Sequence, residues 1–106
     1  MIKYFKMTLR QRQSEFARAV PRLIDAAHVL GFEVTLGDAY RDPRAPYGSK
    51  SSKHRRRLAI DLNLFKDGIY LTDTEDHRPL GEYWESIGGI WGGNFDDGNH
   101  YEWPYD

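Results

Sequence analysis

LAIDLNLF, residues 58–65, alternates without a break: Leu58, Ile60, Leu62 and Leu64 fall on one side, Ala59, Asp61, Asn63 and Phe65 on the other. Side chains alternate across a strand, so this spacing predicts a β-strand with one fully aliphatic face. That face has to be core. Asp61 then emerges from the opposite face in mid-strand, where aspartate has poor propensity and little structural reason to be.

Upstream, the strand is preceded by SSKHRRR (51–57), in which three arginines separate His54 from Asp61. Before that, DAYRDPRAPYGSKSSK (38–53), rich in Gly, Pro, Ser and charge, predicts a long loop of the length that in small domains is functional or mobile. FEVTLG (32–37) predicts another strand. From Thr8 to Leu30 the apolar residues Leu9, Phe16, Val20, Leu23, Ile24, Ala27 and Leu30 recur at three- and four-residue steps, the pattern of an amphipathic helix. Thr8 with Gln11 resembles a capping box and Gly31 is a natural stop. Pro21 removes a backbone donor inside this run and predicts a kink near residue 20 or a split into two helices.

Downstream, KDG (66–68) predicts a short hairpin into IYL (69–71), followed by an acidic loop, TDTEDHRP (72–79). LGEYWESIGGI (80–90) suggests a short helix ending at Gly88-Gly89, and HYEW (100–103) a last short strand closed by Pro104. These elements predict an α+β fold in one small domain spanning residues 1–106, an N-terminal helix packed on a mainly antiparallel sheet.

Fifteen basic and 16 acidic residues leave the chain nearly neutral, so bulk electrostatics does not carry it onto a polyanion. The chain has no cysteine, which excludes disulfides, thiol nucleophiles and Cys-ligated zinc; a metal site must use His, Asp and Glu. The N-terminal MIKYFKMTLRQRQSEF has no apolar run of signal-peptide length and no later stretch approaches membrane-spanning length. The expectation is a protein cytosolic when made, without stable membrane association, that needs another exit route to act outside the cell.

The chain lacks a G-x-S-x-G elbow, a P-loop, a G-x-G-x-x-G turn, an H-E-x-x-H helix and an S-x-x-K pair. What it has is His54 seven residues before Asp61, and Asp97 three residues before His100. Two imidazoles and a carboxylate form a normal catalytic zinc set with a fourth position open for water, provided the chain folds back between His54 and Asp61. Asp97 and Glu102 compete as the base that would take a proton from that water, and spacing does not decide between them. Taken singly, His54 reads as a solvated loop side chain, Asp61 as an arginine partner and His100 as a surface strand residue. His28 and His77 read as structural, and the DTED run (73–76) as a solvated turn rather than a hard-cation site.

Ser52-Lys53-His54, Ala59-Ile60-Asp61 and Asp97-Gly98-Asn99-His100 together resemble the S-x-H-x6-D and [DE]-x-x-H motifs of the M15 zinc peptidases. These are the D-alanyl-D-alanine carboxypeptidases and dipeptidases and the bacteriophage L-alanyl-D-glutamate endopeptidases. The resemblance implies the family's hedgehog/D-Ala-D-Ala peptidase-like fold and one zinc ion held by His54, Asp61 and His100. It further implies Asp97 as general base and Arg41, in DAYRD, as the residue stabilising the oxyanion. Ser52, Arg41 and Tyr101 fall among the substrate-contacting positions. The family often has Gly where this chain has Arg57, which puts the shape of the turn after His54 in question.

The implied activity is zinc-assisted hydrolysis of a peptidoglycan stem peptide by a monomer. Asp in the base position looks more like the phage endolysin branch than the carboxypeptidase branch, and with no signal peptide the fitting picture is a lysis enzyme made in the host cytoplasm and released to the wall. A D,D-carboxypeptidase and a non-catalytic wall-peptide binder stay open as alternatives. So does a nucleic-acid binder using Arg55, Arg56, Arg57, Lys50 and Lys53, which the neutral charge disfavours.

Overall fold

The computed structural model describes residues 6–105; the first five residues of the N-terminal stretch, and Asp106, lie outside it. Helix α1 covers Leu9–Val29 and is capped as its sequence predicts: Thr8 Oγ1 accepts from Gln11 N–H at 3.1 Å and Gln11 Oε1 accepts from Thr8 N–H at 2.8 Å. Pro21 does not split the helix, which runs unbroken through it. The reason lies in the packing. Ala19, Leu23 and Ala27 stay buried on one face across the proline, while Pro21 itself is exposed, so its missing donor falls on the solvent side.

Strand β1 (Glu33–Leu36) follows, then the long loop, then β2 (Ala59–Lys66), the central strand. One edge of β2 pairs with β1, Leu36 opposite Leu62. The other edge takes β3 (Ile69–Leu71) at its C-terminal half and β5 (His100–Glu102) at its N-terminal half, and β4 (Ile90–Trp91) pairs with β5; every pairing is antiparallel. The β2–β3 turn is the predicted short hairpin. Asp67 and Gly68 both take positive φ, the two-residue turn whose twist suits flanking strands.

Helix α2 (Arg78–Ser86) starts two residues earlier than its apolar pattern suggests, because Pro79 sits in its first turn and needs no backbone donor there. The acidic stretch before it contains a 3-10 turn, Thr74–His77, and is not an open loop. Leu58, Ile60, Leu62 and Leu64 are all buried, packed with Phe16, Leu23, Ala27, Leu80, Trp84, Trp91 and Tyr101. The aliphatic face of β2 thus meets both helices, and its Asp61 face is left to a different layer. The fold is the expected α+β arrangement. No described helix is long and apolar enough to cross a membrane.

Candidate metal centre

The chain returns from His54 to Asp61 through a 3-10 turn, Lys53–Arg56, capped by Ser52, whose Oγ accepts the His54 N–H at 3.2 Å. Arg57 closes that turn in the left-handed region (φ 57°), and Leu58 N–H donates to Lys53 O at 3.0 Å, aiming the chain into β2. The turn therefore keeps a backbone shape that glycine favours, although the residue is arginine. Asp61 sits directly opposite His100 in the β2–β5 register, so the sheet itself brings the two side chains to one side.

His54 Nε2 lies 3.1 Å from Asp61 Oδ1 and 3.2 Å from His100 Nδ1, and His100 Nδ1 lies 3.5 Å from the same carboxylate oxygen. The outer nitrogens are both occupied. His54 Nδ1–H donates to Ala39 O at 3.0 Å, and His100 Nε2–H donates to Glu102 Oε1 at 2.8 Å. In neutral imidazoles these bonds leave a lone pair on each inward nitrogen. Three lone-pair donors then face one another, an arrangement that needs a cation between them. Donors about 2.0–2.1 Å from a tetrahedral ion stand roughly 3.3–3.4 Å apart, close to the three edges found here. The donor set thus fits a zinc-sized ion in chemistry, in size and in the outer hydrogen bonds that orient metal-bound histidines.

Electrostatics agrees with a cation site. Burial would raise the Asp61 carboxyl, but hydrogen bonds with His100 and His54 outweigh it and hold it at about 2. Burial would likewise lower His100, yet Asp61 and Glu102 outweigh it and raise the imidazole to about 9.

The three residues line an open cleft of about 540 Å³. Asp97 lines it too, its side chain about half exposed and Oδ2 3.9 Å from His100 Nδ1. Its turn is pinned by Asp97 N–H to Gly92 O (2.9 Å) and Trp91 Nε1–H to Gly98 O (2.7 Å). Arg41 forms another wall: its backbone N–H donates to His54 O at 3.0 Å, its guanidinium reaches Asp38 at 3.5 Å, and its buried Nε has no hydrogen-bond partner among the described residues. Ser52 lines the cleft as well.

Tyr101 is not there. Alternation along β5 turns it away from His100 and Glu102 into the core, fully buried, where its hydroxyl meets His77 Nδ1 at 2.8 Å. The same alternation that isolates Asp61 would have shown this from sequence. Glu102 does face the cleft, but its carboxylate is engaged by His100 and by Lys53 Nζ at 3.3 Å. Phe95, exposed and edge-on to His100 at 5.7 Å between ring centres, also lines the cleft, and no pattern in the sequence marks it.

Against known proteins, the model of the M15 peptidase family described as D-alanyl-D-alanine carboxypeptidase matches residues 47–103, more than half of the 106-residue chain. The matched segment contains His54, Asp61, Asp97 and His100; Arg41 and α1 lie outside it. No curated protein sequence matches the chain.

Proposed function

The chain belongs to the D-alanyl-D-alanine carboxypeptidase family of M15 metallopeptidases, and from that premise we propose that residues 1–106 form one zinc peptidase domain that cleaves the L-alanyl-D-glutamate bond of peptidoglycan stems, as a phage or prophage endolysin does. The observation that carries the catalytic reading is the triangle of His54 Nε2, Asp61 Oδ1 and His100 Nδ1 at the floor of a cleft that Asp97 and Arg41 also line.

In this reading His54, Asp61 and His100 hold one zinc ion, which when bound supplies Lewis acidity toward the scissile carbonyl and a water that ionises near neutral pH. Asp97 takes the proton of the attacking water on its carboxylate and returns it to the leaving amine. Glu102 is the weaker rival for that role, because His100 Nε2–H and Lys53 Nζ already occupy its oxygens. Arg41, in the cleft wall, faces the negative charge that develops on the carbonyl oxygen; its fixed planar charge suits that task. Ser52 shapes the cleft beside His54.

The family's own description favours a second reading, release of the terminal D-alanine of the stem by D,D-carboxypeptidase action. Mass spectrometry of purified muropeptides after digestion separates the two, since one reaction splits the stem after L-alanine and the other removes a single terminal residue. Zinc-loaded protein is expected to cut after L-alanine, with Asp97→Ala and chelator as inactive controls. Stem peptides left intact by the zinc-loaded wild type would end the peptidase proposal.

A further inference from the structure

The loop between β1 and the turn carrying His54 has only short-range hydrogen bonds of its own among the described residues: Ala45 N–H to Asp42 O and Ser52 N–H to Ser49 O in the backbone, and side-chain bonds that join Asp42 to Arg44 and Ser49 to Ser51. One side chain ties these local pieces together. Arg55, next to His54 on the 3-10 turn, sends its guanidinium into the concave side of the loop. There Nε–H donates to Ser49 O (3.0 Å), Nη1 to Asp42 O (3.4 Å) and Pro43 O, and Nη2 to Ala45 O (3.1 Å) and Tyr47 O (2.9 Å). Five carbonyls are thus gathered around one planar cation. Only arginine carries five N–H donors in a fixed fork; a lysine ammonium offers three from a single point.

What the loop does with that shape is visible at Arg41. Gly48 has φ +77° and lies so close to the Arg41 guanidinium that a Cβ would overlap it, and the Tyr47 ring stands 5.1 Å from the Arg41 guanidinium carbon. Gly48 and Ser49 line the same cleft as the three converging donors. Arg41 is therefore held from its outer side by the segment that Arg55 gathers. We infer that Arg55 is a positioning residue for substrate: through the carbonyls of residues 42–49 it fixes the cleft wall and the seat of Arg41, without touching the reacting atoms. The inference rests on the peptidase reading for its substrate half and on geometry alone for its loop half.

Arg55→Ala and Arg55→Lys test both halves. Amide hydrogen exchange across residues 42–50 is expected to rise about tenfold or more in Arg55→Ala, with β2 and β5 unchanged, as for a local opening. Zinc affinity should stay within about twofold of wild type, because the outer bonds of His54 and His100 are untouched. On a stem-peptide substrate kcat/KM should fall about 10- to 100-fold with kcat falling alongside it, because Arg41 bears on charge that develops only in the transition state. Arg55→Lys should leave kcat lowered, since it keeps the charge but not the fork.

Unchanged exchange in 42–50 overturns the loop half. Faster exchange with an unchanged kcat, or full recovery by lysine, overturns the positioning role. A wild type that cuts no stem peptide overturns the peptidase reading and the substrate half with it, while the exchange result still decides whether Arg55 holds the loop.

Discussion

His100 donates its outer Nε2–H to Glu102 Oε1 at 2.8 Å, two residues along the same strand face. That bond selects the tautomer that leaves Nδ1 as the inward donor, and Lys53 Nζ at 3.3 Å holds the carboxylate in place. Removing the carboxylate should loosen the metal without touching a ligand. Glu102→Ala is expected to weaken zinc binding about 10- to 100-fold, and Glu102→Gln less, because an amide oxygen can still accept the imidazole proton. Competition against a chromophoric chelator measures this. An alanine variant that holds zinc as tightly as wild type would show that the strand and the Ala39 contact suffice.

Asp97 should give the opposite pattern. It lies 3.9 Å from His100 Nδ1, about half exposed, and among the described residues its carboxylate makes no hydrogen bond to another side chain. Asp97→Asn is therefore expected to retain full zinc content and thermal stability while hydrolysis drops about 10²- to 10⁴-fold, the usual weight of a general base. Loss of zinc in parallel with activity would make Asp97 a ligand and not a base.

Much of this architecture was legible in the residues because it depends on periodicity and on end signals. The alternation of residues 58–65 placed four leucine and isoleucine side chains in the core and Asp61 outside it, and Thr8 with Gln11 marked the start of α1. Spacing left the set His54, Asp61 and His100 feasible without forcing it; the resemblance to the M15 motifs singled it out, and the fold brings the three together. Strand β4 escaped because two residues, Ile90 and Trp91, carry no period; it exists through pairing with β5. The role of Arg55 escaped for another reason. Its partners are backbone carbonyls, which every residue has, so the contact leaves no trace in side-chain identity.

His77 supplies an acid-sensitive link between α2 and the sheet. It is buried, and burial lowers its imidazole to about 4, only weakly opposed by Asp76. The unfolded chain takes up this proton near the ordinary value, about 6.5, whereas the folded protein resists it. The contribution to stability is therefore complete above about pH 6.5 and is lost as pH falls toward 4, amounting to at most about 3 kcal/mol. His77→Gln keeps a partner for the Tyr101 hydroxyl but does not titrate. Urea unfolding of the metal-free proteins between pH 7.5 and 4.5, about the window set by these values, should show wild type losing stability faster than the variant. Parallel curves would mean that His77 is protonated in the folded state without cost.

Arg57 sits at φ 57° in the turn that returns the chain from His54 to Asp61, and its guanidinium lies over the Tyr40 ring at 3.9 Å from the centroid. Two terms oppose each other here. A left-handed backbone costs a residue with a Cβ about 1–2 kcal/mol, while an exposed cation–π contact returns about 0.5–1 kcal/mol. Arg57→Gly removes the cost and the contact together, so its stability should fall within about 1 kcal/mol of wild type. Arg57→Ala keeps the backbone cost and loses the contact, and should be the least stable of the three by about 1 kcal/mol. Because the turn's geometry is retained, zinc content should be the same in all. Denaturant midpoints decide it: an alanine variant as stable as the glycine variant would mean that the left-handed residue carries no strain, and that the turn is held by its hydrogen bonds to Lys53 and His54 alone.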